Sequence, residues 1–93
     1  MHAVVTHVTI DPNRIDEAEK LLHSTVMPRA ASAKGFVSGV WTRDAGGKGV
    51  GVAVFESEED ANALVSATQA SPPPDGAPTT IDRIEVYTVA GTA

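Results

Sequence analysis

The chain has 93 residues, a formal net charge of −5 and no cysteine. One small domain spanning residues 1–93 is the expectation; the missing thiols exclude disulfides, thiolate chemistry and cysteine-ligated zinc. Seven basic residues thinly spread among twelve acidic ones argue against nucleic acid or anionic membrane as a partner, because phosphate binding needs clustered Lys and Arg. At 42% apolar the chain is too hydrophobic for disorder, and its apolar runs are too short to span a bilayer. The first ten residues lack a basic n-region, so a cytoplasmic location is expected.

Ala3 to Ile10 is β-branched and alternating, which predicts a first strand. Val4, Thr6, Val8 and Ile10 share one face, and Ala3, Val5, His7 and Thr9 the other. Asp11-Pro12-Asn13 is a turn signal, with Asn13 expected to cap a helix from about Arg14 to Ala33. In that helix Ile15, Ala18, Leu22, Val26 and Ala30 fall at helical spacing. Pro28 has no N–H to give Ser24, so a kink or break is expected there.

Gly35 is read as the residue that ends the helix. Phe36 to Arg43 then forms a second strand, and Asp44 to Lys48 a hairpin loop whose glycines tolerate positive φ. The third strand is Gly49 to Glu56. Ser57 caps a second helix, with Asp60 at the third position and three acidic residues in the first turn, where the helix dipole favours them. This helix runs to about Ala70 and buries Ala61, Leu64, Val65 and Thr68. The Pro-rich segment 71–79 is a surface loop. Ile81 to Val89 is the fourth strand.

The order β-α-β-β-α-β is the split βαβ pattern of a ferredoxin-like α+β fold. Right-handed crossovers place both helices on one face of a four-stranded antiparallel sheet. Strand three is apolar on both sides, with Val50, Val52 and Val54 opposite Gly51, Ala53 and Phe55. On strand two, Trp41 and Val37 are read as opposing Phe36 and Val40. A sheet wetted on one face alternates apolar with polar, so the second face needs a cover. A second copy related by a twofold axis is the simplest one, and Val5, His7 and Tyr87 are the residues assigned to that interface.

These features resemble the dimeric α+β barrel superfamily and, more narrowly, antibiotic-biosynthesis-monooxygenase-like domains. The resemblance rests on a first strand running into IDPNRIDEAEKL, the junction MPRAASAKGFVSG and the strand-to-helix junction VFESEEDANAL. It covers residues 3 to 70 and the fourth strand. It implies a homodimer with a pocket between sheet and helices in each subunit, and an activity of the cofactor-independent, quinone-forming monooxygenase kind on a small aromatic or quinol. The alternative is a non-catalytic dimer that binds a small ligand or serves a structural role. Haem-degrading members carry an Asn in strand one, a Trp in helix two and a His after it. The matching positions here are Thr6, Leu64 and the Pro72–Pro74 stretch, so haem degradation is disfavoured and no cofactor is expected. The segment that would extend helix two is replaced by the Pro-rich loop.

No paired acid and base stands out, so no catalytic residue is assigned. Substrate-pocket candidates are Thr6, Trp41, Asn62 and Ser66: a strand hydroxyl, a flat aromatic surface, and an amide and a hydroxyl four apart on helix two. The plainer reading of Asn62 and Ser66 is a polar outer face. His2 and His7 are five apart on a strand and point to opposite faces, so no metal site is expected. His23 is expected to pair with Glu19 one turn away. Arg83, Glu85 and Tyr87 share a face of strand four, and Arg43 is expected in a surface ion pair. The run GGKGVG lacks the helix a phosphate loop needs and reads as a hairpin.

Overall fold

A computed structural model describes residues 1–93. The strands are β1 (His2–Ile10), β2 (Phe36–Arg43), β3 (Lys48–Phe55) and β4 (Thr79–Thr88). They form one antiparallel sheet in the order β2-β3-β1-β4. The helices are α1 (Ile15–Leu21), α2 (Met27–Ala31) and α3 (Glu58–Ala70), with α1 and α2 joined by a π-helical stretch, Leu22–Val26. This is the ferredoxin-like α+β fold.

The hairpin forms as its residues require. Asp44 Oδ1 accepts from the backbone N–H of Gly46 and of Lys48, each at 2.9 Å. Gly47 turns the chain with φ +95°, and a Cβ there would strike the Ile10 carbonyl. That loop sets the register across β2 and β3: Arg43 faces Gly49 and Trp41 faces Gly51. Ser57 caps α3 by accepting from the Asp60 N–H at 3.1 Å.

The core lies where α3 covers the sheet centre. Val4, Ala53, Phe55 and Ala61 are buried together, with Leu64, Val65, Ile84 and Val86 against them. The Phe36 and Phe55 rings meet edge to face at 5.9 Å.

Four local expectations need correcting. First, Pro28 does not break the helix; the expected irregularity takes the form of a π-helical stretch just before it. The Met27 N–H bonds to the Leu22 carbonyl five residues back, and this widened turn feeds directly into α2. The extra residue turns Met27 inward in place of Val26, which is left 45% exposed, while Ala30 is buried as expected. Second, β2 has a bulge at Val37, so Phe36 pairs with Phe55 and lies on the same face as Trp41 rather than opposite it. Third, the first helix starts without a side-chain cap. Asn13 instead donates its own N–H to Asp11 Oδ1, an Asx-turn, and the cap position falls to Arg14. Fourth, Gly35 stands beyond a turn that follows α2, where φ +78° and the adjoining Asp60 side chain leave no room for a Cβ.

Candidate functional site

One transverse row of residues crosses the helix-covered face, one from each strand: Trp41, Gly51, Thr6 and Ile84. Neighbouring strands lie roughly 4.8 Å apart, so the row is roughly 14 Å long. At its β2 end the indole of Trp41 lies flat on the sheet, which only its two glycine neighbours allow. A Cβ on Gly39 would come within 2.7 Å of Cη2, and one on Gly51 within 2.7 Å of Cδ1 and 3.0 Å of Nε1. The six-membered ring therefore covers Gly39. The pyrrole edge, with its N–H, reaches over Gly51 toward β1.

Thr6 follows on β1, half-buried. The hydroxyls of Thr9, Thr42, Thr68 and Thr88 all have partners within the chain. The Thr6 hydroxyl and the Trp41 N–H have none, and neither is sealed from solvent. An otherwise apolar strip thus offers one donor and one hydroxyl that can donate or accept.

Ile84 ends the row and lines a crevice of ≈ 470 Å³ between the end of α3, the Pro-rich loop and β4. Thr68, Gln69, Asp75 and Thr79 give that crevice polar walls, and Pro72, Pro73, Pro74 and Ile81 apolar ones. The Pro-rich loop is therefore one wall of this crevice. The Arg14 guanidinium donates to the Gly76 carbonyl at 2.6 Å, and the Asp11 N–H to the Pro78 carbonyl at 2.8 Å, so the loop is tied to the start of α1.

Of the four pocket candidates, the fold brings Thr6 and Trp41 onto this row. Asn62 and Ser66 stand on the solvent-exposed side of α3. Arg43, at the rim of the same face, is paired with Glu19 at 2.7 Å. Glu19 is therefore bonded across to β2 rather than to His23, as expected from spacing alone; a strand guanidinium outcompetes the local imidazole. The glycines under Trp41 were not singled out from sequence. The signal was present in the hairpin, whose four-residue loop fixes Trp41 opposite Gly51.

The opposite face carries a second cluster. His7 Nε2 lies 3.0 Å from Glu85 Oε1 and 3.1 Å from Arg83 Nη2, and Arg83 Nε is 3.2 Å from Glu85 Oε1. One ring nitrogen cannot serve both neighbours: unprotonated it accepts from Arg83, protonated it donates to Glu85. The Tyr87 hydroxyl beside Glu85 holds that carboxyl below its ordinary range, aided by Arg83 and His7 and opposed by partial desolvation. The same contact pushes Tyr87 above the ordinary phenol value. Next to this cluster Val40, Val50 and Tyr87 remain 56%, 36% and 50% exposed. No three His, Cys, Asp or Glu side chains gather anywhere in a metal-binding group. No helix is long and apolar enough to cross a membrane.

Fold and row together define a small ferredoxin-like α+β protein, a four-stranded antiparallel sheet with its helices on one face, as the order of elements in the sequence implied. Among solved structures, the chain is similar to HapK from Hahella chejuensis, with a TM-score of 0.69 and 13% identity over 100% of this chain and 96% of that one. It is also similar to a monooxygenase from the gene ActVA-Orf6 of Streptomyces coelicolor, solved in complex with Nanaomycin D, with a TM-score of 0.61 and 19% identity over 99% of this chain and 89% of that one. At these identities the likeness is one of fold. No protein-family model matches the sequence, and no curated protein does.

Proposed function

We propose that the protein is a homodimeric, cofactor-independent monooxygenase-like enzyme acting on a small aromatic or quinol substrate. The observation that carries this reading is the apolar strip with two unpartnered polar groups, Thr6 and Trp41, whose last residue, Ile84, also lines a crevice of a volume that suits such a molecule. The likeness in fold to a monooxygenase supports it. Asn62 and Ser66, on the outer side of α3, take no part in it.

The chemistry suits a site without an acid–base pair. A neutral phenol with a free para C–H gives one electron and its O–H proton to dioxygen, leaving a phenoxyl and a hydroperoxyl radical. The pair joins as a C–OOH bond at the para carbon. Loss of water then leaves the para carbon as a carbonyl. Overall, one phenol and one O₂ give one para-quinone and one water, and the substrate supplies both reducing electrons. The protein's contribution is orientation and exclusion of bulk water, which alone account for large rate effects.

The test is oxygen uptake with a panel of phenols and dihydroxyaromatics, with quinone formation followed by absorbance. Saturable uptake that matches quinone formation and falls at least tenfold in Trp41→Ala supports the enzyme. Saturable binding without uptake for any member of the panel supports the second reading, a small-ligand-binding dimer. That reading is favoured by the openness of the crevice and by the absence of a paired acid and base.

A further inference from the structure

We infer that the Trp41 N–H and the Thr6 hydroxyl together form a subsite for a single neutral oxygen atom on the edge of a planar aromatic ligand, and that Gly39 and Gly51 are the residues that aim it. This deepens the proposed function and rests on its choice of face.

The indole can place its nitrogen over Gly51 of β3 only by lying down on the sheet. Gly39 and Gly51 are what permit this, because a methyl group on either would overlap the ring at 2.7 Å. With the ring flat, Nε1 lies beside Gly51, and Gly51 is the register partner of Thr6 on the next strand. Trp41 and Thr6 stand on strands roughly 9.6 Å apart, and the flat ring carries Nε1 back over β3, which leaves the two unpartnered groups flanking one point about one strand spacing, roughly 4.8 Å, across. A donor and a hydroxyl at that separation suit a carbonyl or phenolic oxygen, which accepts from the indole and exchanges a hydrogen bond with the threonine. The ring carrying that oxygen can then rest on the outward face of the indole.

Charge selects against an anion at this point. The cation nearest in the register, Arg43, is engaged by Glu19 at 2.7 Å. A carboxylate on the ligand would lose its hydration with no free guanidinium to replace it. Leaving out the oxygen is also costly, since the N–H and the hydroxyl would be covered by hydrocarbon without partners. The ligand class is therefore a neutral, oxygen-bearing planar aromatic.

Trp41 is the only tryptophan, so its emission reports on this site alone. Binding of 1-naphthol, naphthalene and 1-naphthoate is measured by equilibrium dialysis, with indole emission recorded in parallel. The expected result is saturable binding and quenching by 1-naphthol, with naphthalene and 1-naphthoate each at least tenfold weaker. Thr6→Val keeps the β-branched shape and removes the hydroxyl. It should cut the preference of 1-naphthol over naphthalene to below threefold while leaving naphthalene binding unchanged. Gly51→Ala should tilt the indole and weaken 1-naphthol about tenfold; if that variant does not fold, Thr6→Val decides alone. An unaltered preference in Thr6→Val, or equal binding of 1-naphthol and naphthalene by the wild type, overturns the inference. Oxygen uptake that continues alongside an unaltered preference sinks the subsite and spares the oxidation. The predicted preference without uptake of oxygen does the reverse.

Discussion

Phe55 and Val4, on the helix-covered face of the sheet, are 0% and 2% exposed, whereas Val50 on the other face of the same β3 strand is 36% exposed and Val40 on β2 56%. β3 is apolar on both faces, with Gly51, Ala53 and Phe55 on one and Val50, Val52 and Val54 on the other; what separates them is cover. On one side α3 brings Ala61, Leu64 and Val65 onto β1 and β3. On the other side a valine stripe lies open, bordered by the His7, Arg83, Glu85 and Tyr87 cluster. A face that spends side chains on burial without being buried is incomplete as a single chain. The comparison teaches that the helix layer positions the candidate site, while the back of the sheet carries an apolar stripe that nothing in the chain covers. The proposal of a homodimer follows from that contrast.

The contrast is easiest to break at its buried pole. Phe55→Ala removes a ring with no exposure and its edge-to-face partner Phe36 at 5.9 Å. The expected loss is about 3–5 kcal/mol of unfolding free energy, read as a lower urea midpoint with an unchanged slope. A loss under about 1 kcal/mol would mean that the two faces are equally loose.

At the open pole the effect should appear in mass rather than in fold. Val50→Lys puts a charge in the middle of the back face, where a single chain tolerates it at a cost of about 0.5 kcal/mol or less. If two copies pack sheet to sheet, burying roughly 1,600 Å² in all, an unpaired buried ammonium on each side should split them. Sedimentation of the wild type should give twice the chain mass, and of the variant the chain mass, with the same circular dichroism. A wild type that sediments as one chain at micromolar concentration removes the dimer.

The same two faces show how far sequence reasoning reaches. Alternation in β1 and β3, the Asp44 to Lys48 loop and the Ser57 cap are local signals, and the place of β3 beside β2 and β1 followed from them. Counting by twos failed at Phe36 because a bulge adds one residue, and nothing in Phe36-Val37-Ser38 announces it; the pairing of Phe36 with Phe55 decides it. Counting by helical turns failed at Val26 for a parallel reason, since the π turn before Pro28 also adds one. Glu19 chose Arg43 over His23 because the partner lies on another element, 24 residues away. The site was half legible. Trp41 and Thr6 were visible as residue types, but their relation passes through Gly51 and Gly39, which matter for what they lack.

The smallest predicted effect tests whether the back-face cluster acts as a unit. Tyr87 lowers the Glu85 pKa more than Arg83 or His7 does. Tyr87→Phe should therefore move Glu85 up toward the ordinary carboxylate value, seen by NMR titration of its side-chain carboxyl. The linkage signs are opposite for the two partners. Glu85 is depressed in the folded state, so its contribution is present above the unfolded value of 4.5 and is lost as pH falls through the folded value below it. Tyr87 is raised, so its contribution is present below the unfolded value of 10.0 and is lost as pH rises through the folded value above it. In the Phe variant the alkaline loss should vanish and the acid loss should shrink, with stability flat between pH 6 and pH 9. An unmoved Glu85 titration would show that Arg83 and His7 hold the carboxylate without the phenol. The cluster would then be an ordinary surface ion pair, and the valine stripe alone would distinguish this face.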